Sequence, residues 1–296
     1  MRSTVPLTEQ KTQLLFEKAH AIRQSIVEML IEAKSGHTAG PLDMADVFTY
    51  LYFHALKYDA KKPDWEYRDR VVLSNGHICP VLYATMAHAG YFPVSELKTL
   101  RKFGSKLQGH PHRDFLPALE TSSGPLGSGL SQAVGMALGE RIDFGKTSGK
   151  QFVCLVGDGE LDEGQNWEAM MLAGKEKIQN LTVFVDRNNI QIDGFTEDIM
   201  PLNPLADKWR SFGWHVQEVD GHNFRALDGA WTQALSVFDR PSVIICYTIA
   251  SKGIPDFERK YEWHGKPPTT PEEIDIARKA LHTVRTMGGK VRGEHE

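Results

Sequence analysis

The run Phe152-Val153-Cys154-Leu155-Val156-Gly157-Asp158-Gly159-Glu160-Leu161-Asp162-Glu163-Gly164, answered about thirty residues beyond Asp158 by Asn188-Asn189, decides how this chain is read. Its first five residues hold no polar side chain, the pattern of a strand buried on both faces of a parallel sheet. The strand ends at Gly157. Glycines on either side of Asp158 let the backbone turn tightly and bring its amides to anionic oxygens. The Asp158 carboxylate then faces those same oxygens, a repulsion that a hard, oxygen-seeking cation such as Mg2+ or Ca2+ relieves. Taken alone, Gly-Asp-Gly is an ordinary turn signal.

The neighbouring sequence adds to it. Residues 162–175 suit a helix, and Leu181-Thr182-Val183-Phe184-Val185 is a second apolar strand. A parallel crossover brings Asp158 and Asn188 together at the carboxyl edge of the sheet, where open α/β sheets bind ligands. Asn188 contributes a neutral amide oxygen. The expectation is a metal-assisted diphosphate site.

These residues resemble the thiamine diphosphate motif, and GDGELDEG with VDRNNIQIDG resembles transketolase in particular. Lys34-Ser35-Gly36-His37, Arg68 to His77, Gly109-His110-Pro111 and Thr121 to Gly129 are similar to transketolase segments in the same order, so the likeness runs from about residue 10 to 270. It implies an α/β doubly wound parallel sheet flanked by helices, thiamine diphosphate with Mg2+ (or Ca2+), and transfer of a two-carbon ketol group from a ketose phosphate to an aldose phosphate. A full transketolase is roughly twice as long and carries a pyrimidine-binding domain whose glutamate hydrogen-bonds the aminopyrimidine. No residue here matches that glutamate. The resemblance therefore implies the N-terminal, diphosphate-binding subunit of a split enzyme, active only with a C-terminal partner subunit, in an assembly expected to be two plus two.

Within that resemblance, His37 and His110 are expected to bond the sugar, and His77 and His264 to lie near the diphosphate and the reacting carbons. Asp158, Asn188 and the Ile190 carbonyl are expected at the metal, with Gly157 and the Gly159 amide at the diphosphate. Gly124, Leu126 and Gly127 are expected at the aminopyrimidine, Ile192 on the cofactor rings, and Glu163 at the subunit contact beside the partner's catalytic glutamate. Each has a plainer reading. A single loop histidine is more often a surface or packing residue, Glu163 suits any first helical turn, Ile190 and Ile192 suit a core, and Gly-Pro-Leu-Gly suits a turn. The chain departs from the family run SGHPGG at Thr38-Ala39, and the 252–266 segment around His264 is unlike that of the sugar-phosphate enzymes.

The composition fits this reading. The 296 residues are 41% hydrophobic, enough for one large core, and the formal charge is −4 with no long basic run, which argues against nucleic acid. No apolar run approaches the ~18 residues of a membrane span. Cys79, Cys154 and Cys246 are scattered, against a disulfide framework or zinc site and in keeping with the cytoplasm. One domain is expected over 1–287, with a mobile tail over 288–296.

Along the chain, apolar spacing predicts a helix over 8–34 capped by Thr8 and stopped by Gly36, its apolar side running from Leu14 to Ile31. Further helices are predicted over 42–54, 78–89, 95–100, 131–144, 225–238 and 271–287, and strands over 71–74, 214–219 and 242–248, with a polar loop over 249–270. Ala133, Gly135, Ala137 and Gly139 are expected to let one helix approach the sheet closely. Residues 104–127 carry too much Gly, Pro and His for regular structure, and such a loop is long enough to be functional. Two other readings stand beside the transketolase: a related thiamine diphosphate enzyme chain that acts on an unusual or modified sugar, and a non-catalytic interaction subunit. The second fits poorly with an intact Asp158, Asn188 and four loop histidines.

Overall fold

The computed structural model describes residues 7–145 and 148–286. Strands β1 (Arg70–Leu73), β2 (Phe152–Gly157), β3 (Leu181–Arg187), β6 (His215–Asp220) and β7 (Ser242–Tyr247) form one parallel sheet in the order β1-β2-β3-β7-β6. A two-stranded antiparallel ribbon, β4 (Ile190–Gln191) and β5 (Gly194–Phe195), follows β3 directly. The principal helices are α1 (Glu9–Ala33), α2 (Ala39–Asp43), α3 (Ala45–Tyr50), α4 (Cys79–His88), α5 (Ser128–Phe144), α6 (Gly164–Glu176), α7 (Thr196–Ile199), α8 (Leu205–Ser211), α9 (Phe224–Leu235) and α10 (Pro271–Thr286).

Strand alternation builds the two halves of the core. Val153, Leu155, Phe184 and Ile244 face a cluster with α1, α3, α4 and α9, while Phe152, Cys154, Val156, Val183 and Val185 face α5, α6 and α8. Both faces are covered, as the unbroken apolar strands require. Paired register sets Gly157 of β2 opposite Asp186 of β3, so the turns after both strands open side by side. All three cysteines are free and buried, and no helix among the described residues is long and apolar enough to cross a membrane.

Several boundaries differ from the sequence reading. Helix α1 starts on the Thr8 cap, whose hydroxyl accepts from the Lys11 amide at 3.2 Å, but it ends at Ala33 with Lys34 in the left-handed region (φ 53). Gly36 (φ +130) serves the following turn, where a Cβ would lie 2.6 Å from Leu30 Cδ2. Leu14 is exposed, off the buried stripe of α1. Thr8→Ala is expected to cost about 1 kcal/mol, read as a lower urea midpoint with unchanged slope. The segment expected as one helix over 42–54 is two short helices and a π-helical turn, Leu51–Ala55, because Met44 (ψ 0) breaks the axis between Asp43 and Asp46. Residues 94–99 form a 3-10 helix rather than an α-helix, and α6 starts at Gly164 after a 3-10 turn, Gly159–Asp162, not at Asp162.

Helix α5 approaches the sheet through a different glycine from those expected. Ala133 and Ala137 are buried, yet a Cβ on Gly135 or Gly139 would meet nothing within 4 Å. The close approach is at Gly129, where a Cβ would lie 2.5 Å from Ser74 Cα. The segment after β7 is more than a polar loop, since it buries Ile254, Phe257 and Trp263 and holds a 3-10 turn, Tyr261–Trp263. The expected tail over 288–296 lies outside the described residues.

Candidate functional site

Asp158 is 2% exposed at the end of β2. Its carboxylate accepts from the Gly159 amide at 2.8 Å, the Asn189 amide at 2.7 Å, Arg187 Nη1 at 3.2 Å and Thr196 Oγ1 at 3.4 Å. Burial pushes its acid range up to about 6 despite the Arg187 charge and the amide donors that favour the ionised form. Two of these partners carry no signal in the sequence. Arg187, closing an apolar strand, also pairs with Glu197 at 2.5 Å. Asn189, the second asparagine of the pair, takes a left-handed φ of 64, a conformation asparagine tolerates better than most residues, and so turns its amide back to Asp158.

Asn188 directly follows β3, whose end is paired with the end of β2, and its amide group is held on both sides. Nδ2 donates to Asp43 Oδ2 at 3.0 Å and Asp186 Oδ2 at 3.2 Å, and Oδ1 accepts from the Ile190 amide at 3.1 Å. The amide oxygen is therefore turned toward the Ile190 loop. Thr248 Oγ1 donates to Asp186 Oδ1 at 2.6 Å. Burial raises the acid range of Asp43 well above the usual carboxylate value, with the Asp186 charge next, and raises that of Asp186 to about 7. Asp43 Oδ1 is buried without a partner. Among the described residues no group of three or more His, Cys, Asp or Glu side chains is arranged to hold a metal ion by itself.

The glycine amides are committed within the chain. Gly159 N–H donates to the carboxylate of the preceding Asp158. A Cβ on Gly159 would lie 2.9 Å from Gln191 Oε1, so a side chain there would push the Gln191 side chain of the β4–β5 ribbon aside. Gly157 N–H donates to Glu160 Oε2 at 3.0 Å; Glu160 Oε1 accepts from Ser74 Oγ at 2.5 Å and Gly127 N–H at 2.6 Å. Glu160 is 3% exposed and burial raises its acid range to about 7. It ties the ends of β1 and β2 to the Gly124-to-Gly127 turn, a role that reading GDGELDEG as a ligand loop overlooks. Glu160→Gln replaces one accepting oxygen by a donor and leaves an amide or hydroxyl unpaired, a loss of about 1–3 kcal/mol measurable by urea denaturation. Leu126 presents its carbonyl to Gln165 Nε2 at 2.6 Å, and Gly127 takes φ +82 where a Cβ would meet Gln165 Cγ at 2.8 Å.

The histidines converge. Ring centroids of His37 and His77 are 4.8 Å apart, those of His77 and His264 5.3 Å, and those of His37 and His264 5.7 Å. His110 is exposed at the margin, its Cδ2 3.3 Å from where a Gly76 Cβ would stand. Burial holds His37 and His264 down to about 4, lowers His77 well below the ordinary range, and lowers His110. All four rings are therefore neutral near pH 7, able to accept or donate a proton. A Cβ on Gly265 would lie 3.7 Å from both His37 Nε2 and Ile192 Cγ1, which places Ile192 beside the cluster. Ile192 is 62% exposed whereas Ile190 is 2% exposed, so the two isoleucines have opposite surroundings. Glu163 is exposed at the cap of α6 and makes no capping bond.

The donor set suits a diphosphate bound through a cation. The Asp158 carboxylate ends β2 and Asn188 follows the paired end of β3, and the buried Asn75 Oδ1, His37 Nδ1 and His264 Nδ1 have no partner within the chain. Buried polar atoms left unpaired are costly and point to a ligand.

Comparison with known proteins gives the same frame. Residues 16–286 match the family model described as transketolase, thiamine diphosphate binding domain. The chain is similar to the 6-deoxy-6-sulfo-D-fructose transketolase subunit SqwG from Clostridium sp. (strain MSTE9), 42% identical over 87% of this chain and 92% of that protein. It is 36% identical to one of the apulose-4-phosphate transketolase subunits of Phocaeicola vulgatus, over 90% of this chain and 93% of that one. A crystal structure of transketolase from Campylobacter jejuni superposes with TM-score 0.84 at 34% identity, covering 91% of this chain and 43% of that longer chain.

Proposed function

The chain belongs to the transketolase family through its thiamine diphosphate-binding domain, and from that premise we propose that it is the diphosphate-binding subunit of a two-chain transketolase. The observations that support this reading are the triangle of neutral imidazoles, His37, His77 and His264, and the Asp158 carboxylate buried at the carboxyl end of β2. When bound, thiamine diphosphate would supply the nucleophilic carbon and the electron-accepting ring that two-carbon transfer needs.

The chain's own residues bind and orient. Asp158, Asn188 Oδ1 and the Ile190 carbonyl would hold Mg2+, with Ca2+ an acceptable substitute for such oxygen ligands. Gly157 and Gly159 leave room for the diphosphate, Gly124, Leu126 and Gly127 border the aminopyrimidine, and Ile192 packs on its rings. His77 and His264 stand at the diphosphate and the reacting carbons. His37 and His110 hydrogen-bond the sugar, and a neutral imidazole can give or take the proton at its carbonyl oxygen. Glu163, exposed on α6, meets the partner chain that carries the pyrimidine-binding domain. The exposed Ile192, Phe195, Ile199 and Met200 suit burial in such an assembly, which we take as two plus two. Free, buried cysteines fit a cytoplasmic setting.

The test is calorimetric binding of thiamine diphosphate with Mg2+ to this chain, and ketol transfer from xylulose 5-phosphate to ribose 5-phosphate by the chain alone and mixed with its partner. Binding by the chain with activity only in the mixture is expected, and absence of cofactor binding overturns the reading. A second reading has its own observation, the 42% identity to a sulfosugar transketolase subunit over nearly its whole length. Transfer from 6-deoxy-6-sulfo-D-fructose but not from xylulose 5-phosphate would select it.

A further inference from the structure

Arg101 lies between two loops that carry histidines of the site. It follows the 3-10 helix Val94–Thr99, takes a left-handed φ of 59, and is fixed by its amide, which donates to the Leu107 carbonyl at 2.9 Å. Left-handed backbone costs an arginine about 1–2 kcal/mol, so the surroundings hold it there. Its guanidinium spends two donors in two directions. Nη1 donates to Ser35 Oγ at 3.2 Å, two residues before His37, and Nη2 donates to the Gly109 carbonyl at 3.2 Å, immediately before His110.

The two glycines flanking it show how closely it is seated. A Cβ on Gly109 would lie 2.8 Å from Arg101 Cζ, and one on Gly36 would lie 3.9 Å from Nε. The guanidinium therefore lies close against the Gly109 backbone on the exposed side of the two loops, and a side chain at Gly109 would displace it. Both acceptors are neutral, and among the described residues no carboxylate bonds to Arg101. The nearby charges are already engaged with each other, as in the Lys102–Glu32 pair.

We propose that Arg101 is a positioning residue that ties the His37 loop to the His110 loop and so sets the separation of the two imidazoles that face the sugar. This rests on the assignment of those histidines to the substrate. A planar fork can bond two acceptors in divergent directions at once, which an ammonium on a flexible stem does not reproduce. Its charge also contributes, after burial, to keeping both rings neutral.

The test uses Arg101→Gln, Arg101→Lys and Gly109→Ala in two experiments. In the first, Cε1–H resonances of the histidines are followed by NMR in the isolated chain at pH 7.5. His37 and His110 are expected to shift together in all three variants, while His88 and His215 keep their positions. In the second, the assembled enzyme is assayed, with thiamine diphosphate affinity measured alongside. kcat/KM is expected to fall by on the order of tenfold to a hundredfold in each variant, with cofactor affinity unchanged and the Arg101→Gln/Gly109→Ala double variant no worse than either single one. Wild-type behaviour in Arg101→Lys would overturn the tether by showing that charge suffices. So would movement of only one histidine, or a loss of cofactor affinity in step with activity. If the wild-type assembly transfers no ketol group, the functional reading fails, and the NMR experiment still decides whether the loops are tied.

Discussion

Replacing Asp158 with alanine is expected to lower Mg2+-dependent binding of thiamine diphosphate by ~100-fold or more, since groups that merely orient a metal ligand already cost 10–100-fold when removed. Asp158 is the acidic side chain between two glycines at the carboxyl edge, where a diphosphate's charge has to be met. Without its carboxylate, a cation would retain only neutral oxygens from Asn188 and Ile190, and Arg187 would lose the partner 3.2 Å away. The freed guanidinium still has Glu197, so it does not become an isolated buried charge. The measurement is a calorimetric titration of the cofactor at saturating Mg2+, for wild type and Asp158→Ala, with far-ultraviolet circular dichroism as the check on folding. Comparable affinity in a folded variant would remove Asp158 from the metal site and with it the premise of the site.

How much of this is legible in the sequence depends on whether the signal is local. Phe152 to Val156 announces a buried parallel strand, and parallel pairing with β3 follows from the helix between them, so Asp158 and Asn188 can be placed together before any coordinates. Histidines flanked by glycine mark loops, but their convergence does not follow: His37, His77 and His264 come from three distant segments, and only the sheet order sets their rings within 6 Å. Glu160 is hidden inside the motif itself. A glutamate two residues after Asp158 falls in the turn before the expected helix, and its burial under Ser74 and Gly127 depends on chain ends far away in sequence. Asp43 is likewise invisible, since helical periodicity over 42–54 gives no reason for a break at Met44 that turns this carboxyl to Asn188. The glycines of α5 mislead for a simpler reason: small residues allow close packing without requiring it, and the sheet is met at Gly129.

The histidine cluster makes the folded chain sensitive to acid, with a sign that can be fixed. Burial takes His264 from its ordinary 6.5 down to about 4, so between those values the unfolded chain binds a proton that the folded chain does not. Its contribution to stability is complete above pH 6.5 and is lost as the pH falls through that window, by about 3 kcal/mol if the whole difference is expressed. Carboxylates act in the opposite sense. Asp158, raised to about 6, and Glu160 and Asp186, raised to about 7, favour the folded chain at low pH and lose that contribution as the pH rises through those values. A wild-type stability curve mixes both, so its slope alone decides nothing. The difference between wild type and His264→Gln removes the carboxylates, which are common to both proteins, and reports the imidazole together with the change it causes in His37 and His77. At pH 8 the variant is expected to be no more stable than wild type, having exchanged one buried neutral ring for another polar group. Below pH 6.5 it should gain on wild type steadily, overtaking it before pH 4.5, because glutamine has no proton to take up. Thermal unfolding of both proteins without cofactor, at half-unit steps from pH 8 to pH 4.5, measures this directly. A difference in midpoint that stays constant across the range would mean that His264 titrates normally in the folded chain and is open to water rather than enclosed with His37 and His77.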